Sequence, residues 1–354
     1  MKLARWSLHF YRLPYGREVV WSNAVENSGL FALLRLESHD GTVGIAEGTI
    51  KNTWSGVSPR SLQAALEDVI LPLVKEADLG DQKAVTLAYS KIPENRLAKG
   101  LVDNACWTMR AAAAGKPLWK LFNGDSSVDL CWTVTREKPQ LMAQEAADYC
   151  GRYGFRTLKV KGGQGLQTDL EALAAIRAAV GAKVELYVDA NSAYPRDEAL
   201  DYVRRIADAG ATVAEDPSPL APDEQFEALQ SDSRIPILVD GSCTSVRDAE
   251  LYVGRGARAV SLKPGRIGLS ESLAIKGVLG ERKTALGIYA ESALGTLINL
   301  QLPATLVAEQ SFFLIMQQQV VKHLPEIRAG KLELPADPDF EKLVDWKAVE
   351  RFKP

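Results

Sequence analysis

The sequence predicts an α/β protein in which a (β/α)8-type barrel, or its modified (β/α)7β form, carries an N-terminal α+β capping domain. From about residue 129, short apolar runs alternate with amphipathic helical stretches, which is typical of parallel strands joined by crossover helices. Ahead of that point, strand-like segments come first and helical segments follow, as in an α+β unit. A chain of 354 residues is long enough for one barrel and one smaller domain.

Residues 1–120 form the predicted capping domain. Up to about residue 60 the pattern favours antiparallel strands, and the HDG sequence at 39–41 marks a hairpin turn between two apolar runs. Residues 61–117 repeat apolar positions three and four apart, as amphipathic helices do, and the second helical stretch ends at Gly115. The segment 321–354 contains proline-rich breaks, and we expect it to return to this domain.

Residues 121–320 form the predicted barrel. Seven of its strands are short apolar runs, each followed by a helical stretch: LCWTVT, RTLKVK, KVELYVD, TVAED, IPILVD, AVSLK and ALGIYAE. The apolar run SFFLIM at 311–316 supplies the predicted eighth strand. Eight such runs over roughly 200 residues fit a barrel, with the last helix replaced in the modified form.

Composition excludes several classes of protein. The net charge of −3 and the isoelectric point near 5.8 give no basic footprint for nucleic acid or an anionic membrane surface. No apolar run reaches the length of about 18 residues that suggests a membrane span. The four cysteines are scattered without a CxxC pair, which favours reduced thiols over disulfides or zinc ligands. We therefore expect a soluble, cytoplasmic protein.

Charged residues stand at the ends of six consecutive predicted strands. They recur 23 to 28 residues apart, one β/α unit each, at Lys161, Asp189, Glu215, Asp240, Lys263 and Glu291. Taken singly, each is more often a solvated strand end or a turn cap than a functional group. Strand-terminal residues of a barrel converge on its C-terminal mouth, where barrel active sites lie. Their joint spacing therefore favours one shared site.

The three acidic residues in the middle of this series suit a metal ion. Asp189, Glu215 and Asp240 supply carboxylates from adjacent strands, with no histidine or cysteine among them. Such a set favours a hard cation, Mg²⁺ first and Mn²⁺ as the alternative. The ion would keep coordination positions open for the oxygens of a small carboxylate substrate.

The lysines on either side suit acid–base chemistry. Lys161 and Lys263 flank the acidic trio, and a lysine desolvated beside another cation can act as a neutral base. Lys159 shares a strand face with Lys161 and is the expected neighbouring cation. A metal ion between two bases suits removal of a proton α to a carboxylate, through an enediolate.

These motifs together resemble the enolase superfamily, specifically its muconate lactonizing enzyme subgroup. The similarity covers essentially the whole chain and rests on KVK at 159–161, VDAN at 188–191, AEDP at 214–217, VDGS at 239–242, SLKPGRIGLSES at 261–272, AESALGT at 290–296 and LFALLRLESHDGTVGIAEG in the cap. The resemblance implies a homo-oligomer and assigns roles to eight residues: Mg²⁺ ligands Asp189, Glu215 and Asp240, the acid–base pair Lys161 and Lys263, the electrostatic helper Lys159, and the supporting residues Asn191 and Glu291.

Two departures bear on subgroup and substrate. The mandelate racemase subgroup uses a histidine base late in the barrel, and none of the three histidines here stands at a predicted catalytic strand end. Family members commonly have an acidic residue directly after the third metal ligand, where this chain has Gly241, which leaves the protonation preference of Lys263 open.

Specificity residues are expected in the cap and near the eighth strand. Trp21 and Trp54 are either walls of the substrate pocket or part of the cap core, and the sequence favours neither interpretation. Dipeptide epimerases of the family carry an Asp-x-Asp at the eighth strand, where this chain has Met316 and Gln318, so a dipeptide substrate is disfavoured.

The predicted function is a Mg²⁺-dependent isomerase that acts on a small carboxylate, by racemisation or epimerisation first and cycloisomerisation next. A dehydratase of a hydroxy acid or hydroxyproline-like substrate is the alternative, because the same enediolate can expel a leaving group. A Schiff-base lysine barrel and a non-catalytic carboxylate binder stay as further alternatives. The sequence does not identify the substrate.

Overall fold

The computed structural model describes residues 1–354 and begins with an antiparallel sheet in the cap. Its strands are β1 (Leu3–Val20), β2 (Val25–Ser38) and β3 (Val43–Thr49), in that order. The turn between β2 and β3 contains the predicted HDG sequence, and Gly41 there has a φ of +85°, which glycine adopts without steric cost.

Helices cover one face of this sheet. They are α1 (Asn52–Ser55), α2 (Pro59–Ala64), a π-helical stretch (Ala65–Ile70), α3 (Leu71–Val74), α4 (Gln82–Ala88) and α5 (Arg96–Ala114). The long helix α5 lies directly on β3, since a side chain at Gly44 would place its Cβ 2.0 Å from the carbonyl oxygen of Ala105. A core cluster of 21 buried residues joins the sheet to the helices, and α5 ends at Gly115 as predicted.

A parallel sheet of seven strands forms the barrel. After α6 (Leu118–Leu121) and the short β4 (Ser127–Asp129), the strands are β5 (Trp132–Val134), β6 (Thr157–Lys161), β7 (Glu185–Asp189), β8 (Ala211–Glu215), β9 (Ile237–Val239), β10 (Ala259–Leu262) and β11 (Lys283–Leu286). The helices that follow them are α7 (Pro139–Tyr153), α8 (Leu166–Val180), α9 (Ala199–Asp208), α10 (Glu224–Asp232), α11 (Val246–Gly254), α12 (Pro264–Ile267), α13 (Leu269–Leu279) and α14 (Ala293–Asn299).

An extended segment, 306–309, closes the barrel between β11 and β5. The backbone N–H of Leu306 donates to the carbonyl of Thr284, that of Glu309 to Leu286, and that of Cys131 to Ala308. The barrel is therefore of the modified (β/α)7β form.

The prediction that SFFLIM forms the eighth strand is wrong, because residues Phe312–Ile315 form a 3-10 helix. Its apolar side chains are buried against the cap instead of the sheet: the ring of Phe312 lies 5.4 Å from that of Tyr15 and 5.1 Å from that of Trp21. An apolar run indicates that its side chains are buried but not which element buries them, and here they are buried against the cap domain.

The C-terminal segment contacts both parts of the molecule. It contains β12 (Ile327–Arg328), β13 (Lys331–Glu333), a 3-10 helix (Phe340–Leu343) and α15 (Trp346–Arg351). Strand β13 pairs with β4, whereas Glu341 forms an ion pair with Arg35 of the cap. The domain boundaries at 120 and 320 stay predictions. None of the helices is both long and apolar enough to cross a lipid bilayer.

Candidate active site

Backbone register brings the charged strand ends to one level at the barrel mouth. Lys161 of β6 is paired with Asp189 of β7, which in turn is paired with Glu215 of β8. Asp240 and Lys263 directly follow β9 and β10. Parallel strands present their C-terminal ends at the same rim, so residues far apart in sequence become neighbours there.

Lys159 lies at the centre of this cluster and is fully buried. Its Nζ lies 2.7 Å from carboxylate oxygens of Glu215 and Glu309 and 3.0 Å from Asp189. Burial alone would favour the neutral amine, but the three carboxylates outweigh it and raise the pKa of Lys159. Lys159 is therefore a structural ammonium held by three counter-charges.

Glu309 is a member of the buried charged cluster that sequence reasoning missed. It is fully buried at the end of the closing segment, where it also accepts hydrogen bonds from the hydroxyl of Tyr187 (2.5 Å) and the backbone N–H of Ile288 (3.0 Å). A signal existed: LVAE at 306–309 is a short apolar run that ends in a carboxylate, like TVAE at 212–215. The stronger apolar run that follows it concealed that signal.

The two candidate bases are each paired with a candidate metal ligand. The Nζ of Lys161 donates to Asp189 at 2.5 Å and to the side-chain oxygen of Asn191 at 3.4 Å. The Nζ of Lys263 donates to Asp240 at 2.6 Å. Burial works to lower the pKa of Lys263, but the Asp240 carboxylate outweighs it and raises that pKa.

The KVK strand places both of its lysines beside one carboxylate. Lys159 and Lys161 point to the same side, and both ammonium groups contact Asp189. Three carboxylates surround Lys159 and compensate its charge, and its role as the electrostatic helper of Lys161 stays a prediction.

Four residues just beyond the strands, one of them the supporting residue Asn191, stand in strained backbone. Asn191, Ser192, Asp216 and Ala290 all have φ between +36° and +61°, a region that non-glycine residues rarely adopt. Strain of this kind clusters at functional sites, where the surrounding contacts maintain it. In Asn191 it accompanies a hydrogen bond from its backbone N–H to Asp189 at 2.8 Å.

Two further carboxyl groups are buried around the mouth. Burial raises the pKa of Glu291 to about 7, although its carboxylate accepts hydrogen bonds from the N–H of Tyr289 and the amide of Asn299. Burial also raises the pKa of Asp216 to about 7. Asp216 accepts from the N–H of Gly241 at 2.8 Å, so its carboxylate lies directly beside Gly241.

A cavity of about 310 Å³ opens above these residues. Its floor is made by the barrel side chains Lys161, Asn191, Ser192, Asp216, Asp240 and Lys263, with Arg266, Ile288 and Tyr289 at its edge. Its wall comes from the cap and consists of Trp21, Ser22, Asn23, Thr53 and Trp54. Both tryptophans thus line the pocket, and Trp21 is also packed into the core.

Met316 and Gln318 do not line this pocket, which corrects the expectation for them. Met316 is buried and pairs with Tyr15 of the cap, whereas Gln318 is exposed. The physical reason is that the sequence prediction placed the eighth strand too late in the chain. The segment that closes the barrel ends at Glu309, several residues before Met316.

The donor set of the buried cluster fits a hard cation. Oδ1 of Asp240 is buried without a hydrogen-bond partner, whereas Oε2 of Glu215 already lies 2.7 Å from the Lys159 ammonium. An unsatisfied buried carboxylate oxygen such as that of Asp240 calls for a positive charge. In this conformation the carboxylates do not form a group that could hold a metal ion, and each of them is paired with a lysine.

Comparisons with known proteins agree with this architecture. Residues 18–123 match the family model "Mandelate racemase / muconate lactonizing enzyme, N-terminal domain", and residues 141–338 match "Enolase C-terminal domain-like". Muconate cycloisomerase 1-2 of Acinetobacter lwoffii is 27% identical over 352 residues, which cover 94% of this chain and 90% of that protein.

Two solved structures illustrate the shared fold. The muconate lactonizing enzyme from Pseudomonas fluorescens, complexed with muconolactone, superposes with a TM-score of 0.91 at 21% identity and covers 100% of this chain and 99% of its own. The dipeptide epimerase from Enterococcus faecalis V583, complexed with Mg and the dipeptide L-Leu-L-Tyr, gives 0.88 at 23% identity, covering 96% and 99%.

Proposed function

The chain belongs to the muconate lactonizing enzyme subgroup of the enolase superfamily, and from this premise we propose that it is a Mg²⁺-dependent isomerase that abstracts the proton α to the carboxylate of a small organic acid. The observation that carries the proposal is the pair of lysines that face the pocket from opposite sides of the acidic trio, Lys161 at the end of β6 and Lys263 after β10. General acid–base catalysis needs such groups within reach of the reacting proton.

The barrel residues divide the chemistry between them. Asp189, Glu215 and Asp240 would hold the ion, which when bound supplies positive charge to stabilise an enediolate. Lys161 and Lys263 exchange protons with the α-carbon from its two faces. Removal on one face and return on the other inverts the centre.

The charge pattern of the pocket supports a substrate without an ammonium group at its far end. The five cap residues of the wall are uncharged, and the acidic side chains that line the pocket, Asp216 and Asp240, lie on the floor. An ammonium group bound against the wall would find no carboxylate there and would lose hydration without compensation. N-acylated amino acids and unsaturated acids fit this pattern better than dipeptides.

The acidic trio beside the lysines weighs against a Schiff-base mechanism. Imine formation between an amine and a carbonyl needs no metal ligands, whereas Asp189, Glu215 and Asp240 supply three carboxylates that suit a hard cation. Failure of borohydride to trap a carbonyl substrate is therefore expected.

The test is Mg²⁺-dependent deuterium uptake in D₂O, read by mass spectrometry over pooled amino acids, N-acyl amino acids, proline derivatives, dipeptides and hydroxy acids. One deuteron should enter a substrate, and Lys161→Ala and Lys263→Ala should each reduce turnover by at least about 100-fold while the fold is retained. The exposed Lys120→Ala is the matched control.

Each outcome has a defined meaning. Full activity in both lysine variants, or uptake unchanged after chelation of the metal, would contradict the proposed mechanism. Loss of water along with uptake would identify a dehydratase. Absence of uptake from saturated acids, with loss of ultraviolet absorbance from an unsaturated diacid, would identify cycloisomerisation.

A further inference from the structure

A further buried lysine lies in the cap, outside the catalytic cluster. Lys51 is 2% exposed and forms an ion pair with Glu26. Its ammonium lies 4.9 Å from the ring centroid of Trp21 and 5.2 Å from that of Trp54. Both indoles belong to the wall of the substrate pocket, whereas Lys51 lies behind them and does not line the cavity.

The contacts of Lys51 join two cap segments that are separate in sequence. Its backbone carbonyl accepts the N–H groups of Trp54 (3.0 Å) and Ser55 (2.9 Å), so it begins the short helix that carries one indole. Its partner Glu26 accepts the indole N–H of Trp21 at 2.8 Å. One ion pair therefore supports both aromatic residues of the wall.

The exposed face of the wall has its own links. The indole N–H of Trp54 donates to Asn23 at 2.9 Å, and the amide of Asn23 donates to the carbonyl of Thr53 at 3.0 Å. The ring of Trp54 also meets Tyr289 of the barrel edge, centroid to centroid 5.3 Å. These polar links are open to water, which competes for each of them, whereas the Lys51 contacts are shielded.

Burying an ammonium carries a desolvation cost that an isolated apolar side chain would avoid. Burial accordingly lowers the pKa of Lys51, and the Glu26 carboxylate opposes that effect. A methionine would fill the same space without this cost, but it could neither pair with Glu26 nor attract the two ring faces. The charge of Lys51 thus fixes the positions of Glu26 and the two indole rings in a way that apolar packing alone would not.

We propose that Lys51 is a positioning residue that fixes Trp21 and Trp54 as one rigid wall and thereby sets the affinity for substrate, without taking part in proton transfer. The inference rests on the proposed function, because the wall faces the same pocket. A wall that is ordered before binding spares the substrate the entropic cost of ordering it, and this gain appears in KM more than in kcat.

The kinetic test compares Lys51→Met with Lys51→Arg, using the carboxylate that the deuterium screen identifies. Lys51→Met should raise KM about tenfold and leave kcat within about twofold, because only binding depends on the wall. Lys51→Arg keeps the charge and should recover most of the affinity. Lys120→Met is the matched control, since Lys120 lies over the ring of Trp119 at 5.1 Å, and Trp119 does not line the pocket.

A ligand-free test separates this inference from the proposed function. Lys51→Met should increase acrylamide quenching of tryptophan fluorescence and alter the near-ultraviolet circular dichroism of the Trp21–Trp54 pair, whose rings meet edge to face at 5.1 Å. Altered spectra without turnover of any carboxylate would uphold the wall and refute the proposed function.

The inference fails if Lys51→Met leaves both KM and the spectra unchanged, or if kcat falls as much as kcat/KM. If Lys51→Met does not fold, Glu26→Gln provides the same test. It keeps an acceptor for the indole of Trp21 but removes the counter-charge of Lys51.

Discussion

The floor and the wall of the pocket differ in the chemistry of their side chains. The floor consists mainly of charged and polar side chains held by the ends of barrel strands, and its lysines and carboxylates neutralise one another. The wall consists of aromatic and uncharged polar side chains from the turn after β1 and from the short helix α1. The backbone hydrogen bonds of a closed sheet fix the floor, whereas side-chain contacts fix the wall. Changes in the wall should therefore leave proton transfer intact but alter which substrate is bound.

Removal of a carboxylate from the floor should have the largest effect. Asp240→Asn keeps the shape of the side chain but removes both the charge that holds Lys263 and one candidate ligand. We expect Mg²⁺ affinity to fall by about 100-fold or more, measured by titration calorimetry, and deuterium uptake to fall with it. The wall variant Asn23→Ala should keep the metal affinity of the wild type. Equal Mg²⁺ affinity in Asp240→Asn would remove this residue from the proposed metal site.

The two regions also differ in how well the sequence predicts them. Five strand-end positions at and beneath the floor, from Lys161 to Lys263, were predictable because each strand end follows one β/α unit after the previous one and strand register then aligns them. Glu309 was not, because a four-residue closing segment leaves too little pattern beside the apolar run 311–316. The same error displaced the specificity prediction to Met316 and Gln318.

The wall was predictable only in part. Trp21 and Trp54 stand out by residue type, but a buried tryptophan of a core and a tryptophan that lines a pocket have the same sequence pattern. Lys51 gave no signal, since a single lysine in TIKNTW has no periodic partner and its ion pair with Glu26 joins positions 25 residues apart. Contacts made by side chains across loops depend on the tertiary fold and leave no local periodicity.

A cap residue that touches the barrel without facing the substrate should affect stability in a pH-dependent way. Asp103 of α5 is buried and accepts the N–H of Ser270, just beyond the helix that follows Lys263. Burial raises its pKa from 3.8 to about 6. The folded state therefore binds more protons than the unfolded state between these values, and the contribution of Asp103 to stability falls as pH rises through that window.

Asp103→Asn should remove this pH dependence. Between pH 4 and pH 7, the free energy of unfolding of the variant should gain about 2 kcal/mol relative to the wild type, as measured by urea denaturation at each pH. Affinity for substrate should stay unchanged, since Asp103 is not part of the wall or floor. A constant stability difference across the window would show that the carboxyl of Asp103 is not the titrating group.

Glu309→Gln tests how the buried charged cluster balances its charge. Three lysines face four carboxylates in the cluster, namely Lys159, Lys161, Lys263, Asp189, Glu215, Asp240 and Glu309. The excess negative charge attracts a cation, and Glu309 gives Lys159 a counter-charge that the candidate ligands do not have to supply. We expect Mg²⁺ affinity to fall about tenfold by calorimetry. The exposed Glu333→Gln should leave it unchanged, and a similar loss there would point to a long-range charge effect.

The smallest effects should come from the wall, and they separate a residue that lines the pocket from one that does not. Trp54→Ala removes one aromatic side chain while the floor stays intact, so KM should rise about fivefold with little change in kcat. Gln318→Ala should change neither, because its side chain is exposed and lies outside the cavity. Steady-state deuterium exchange measures both variants under the same conditions. A larger effect at Gln318 than at Trp54 would mean that the bound state draws the 316–318 segment into the pocket, and the wall would then include a barrel loop as well as the cap.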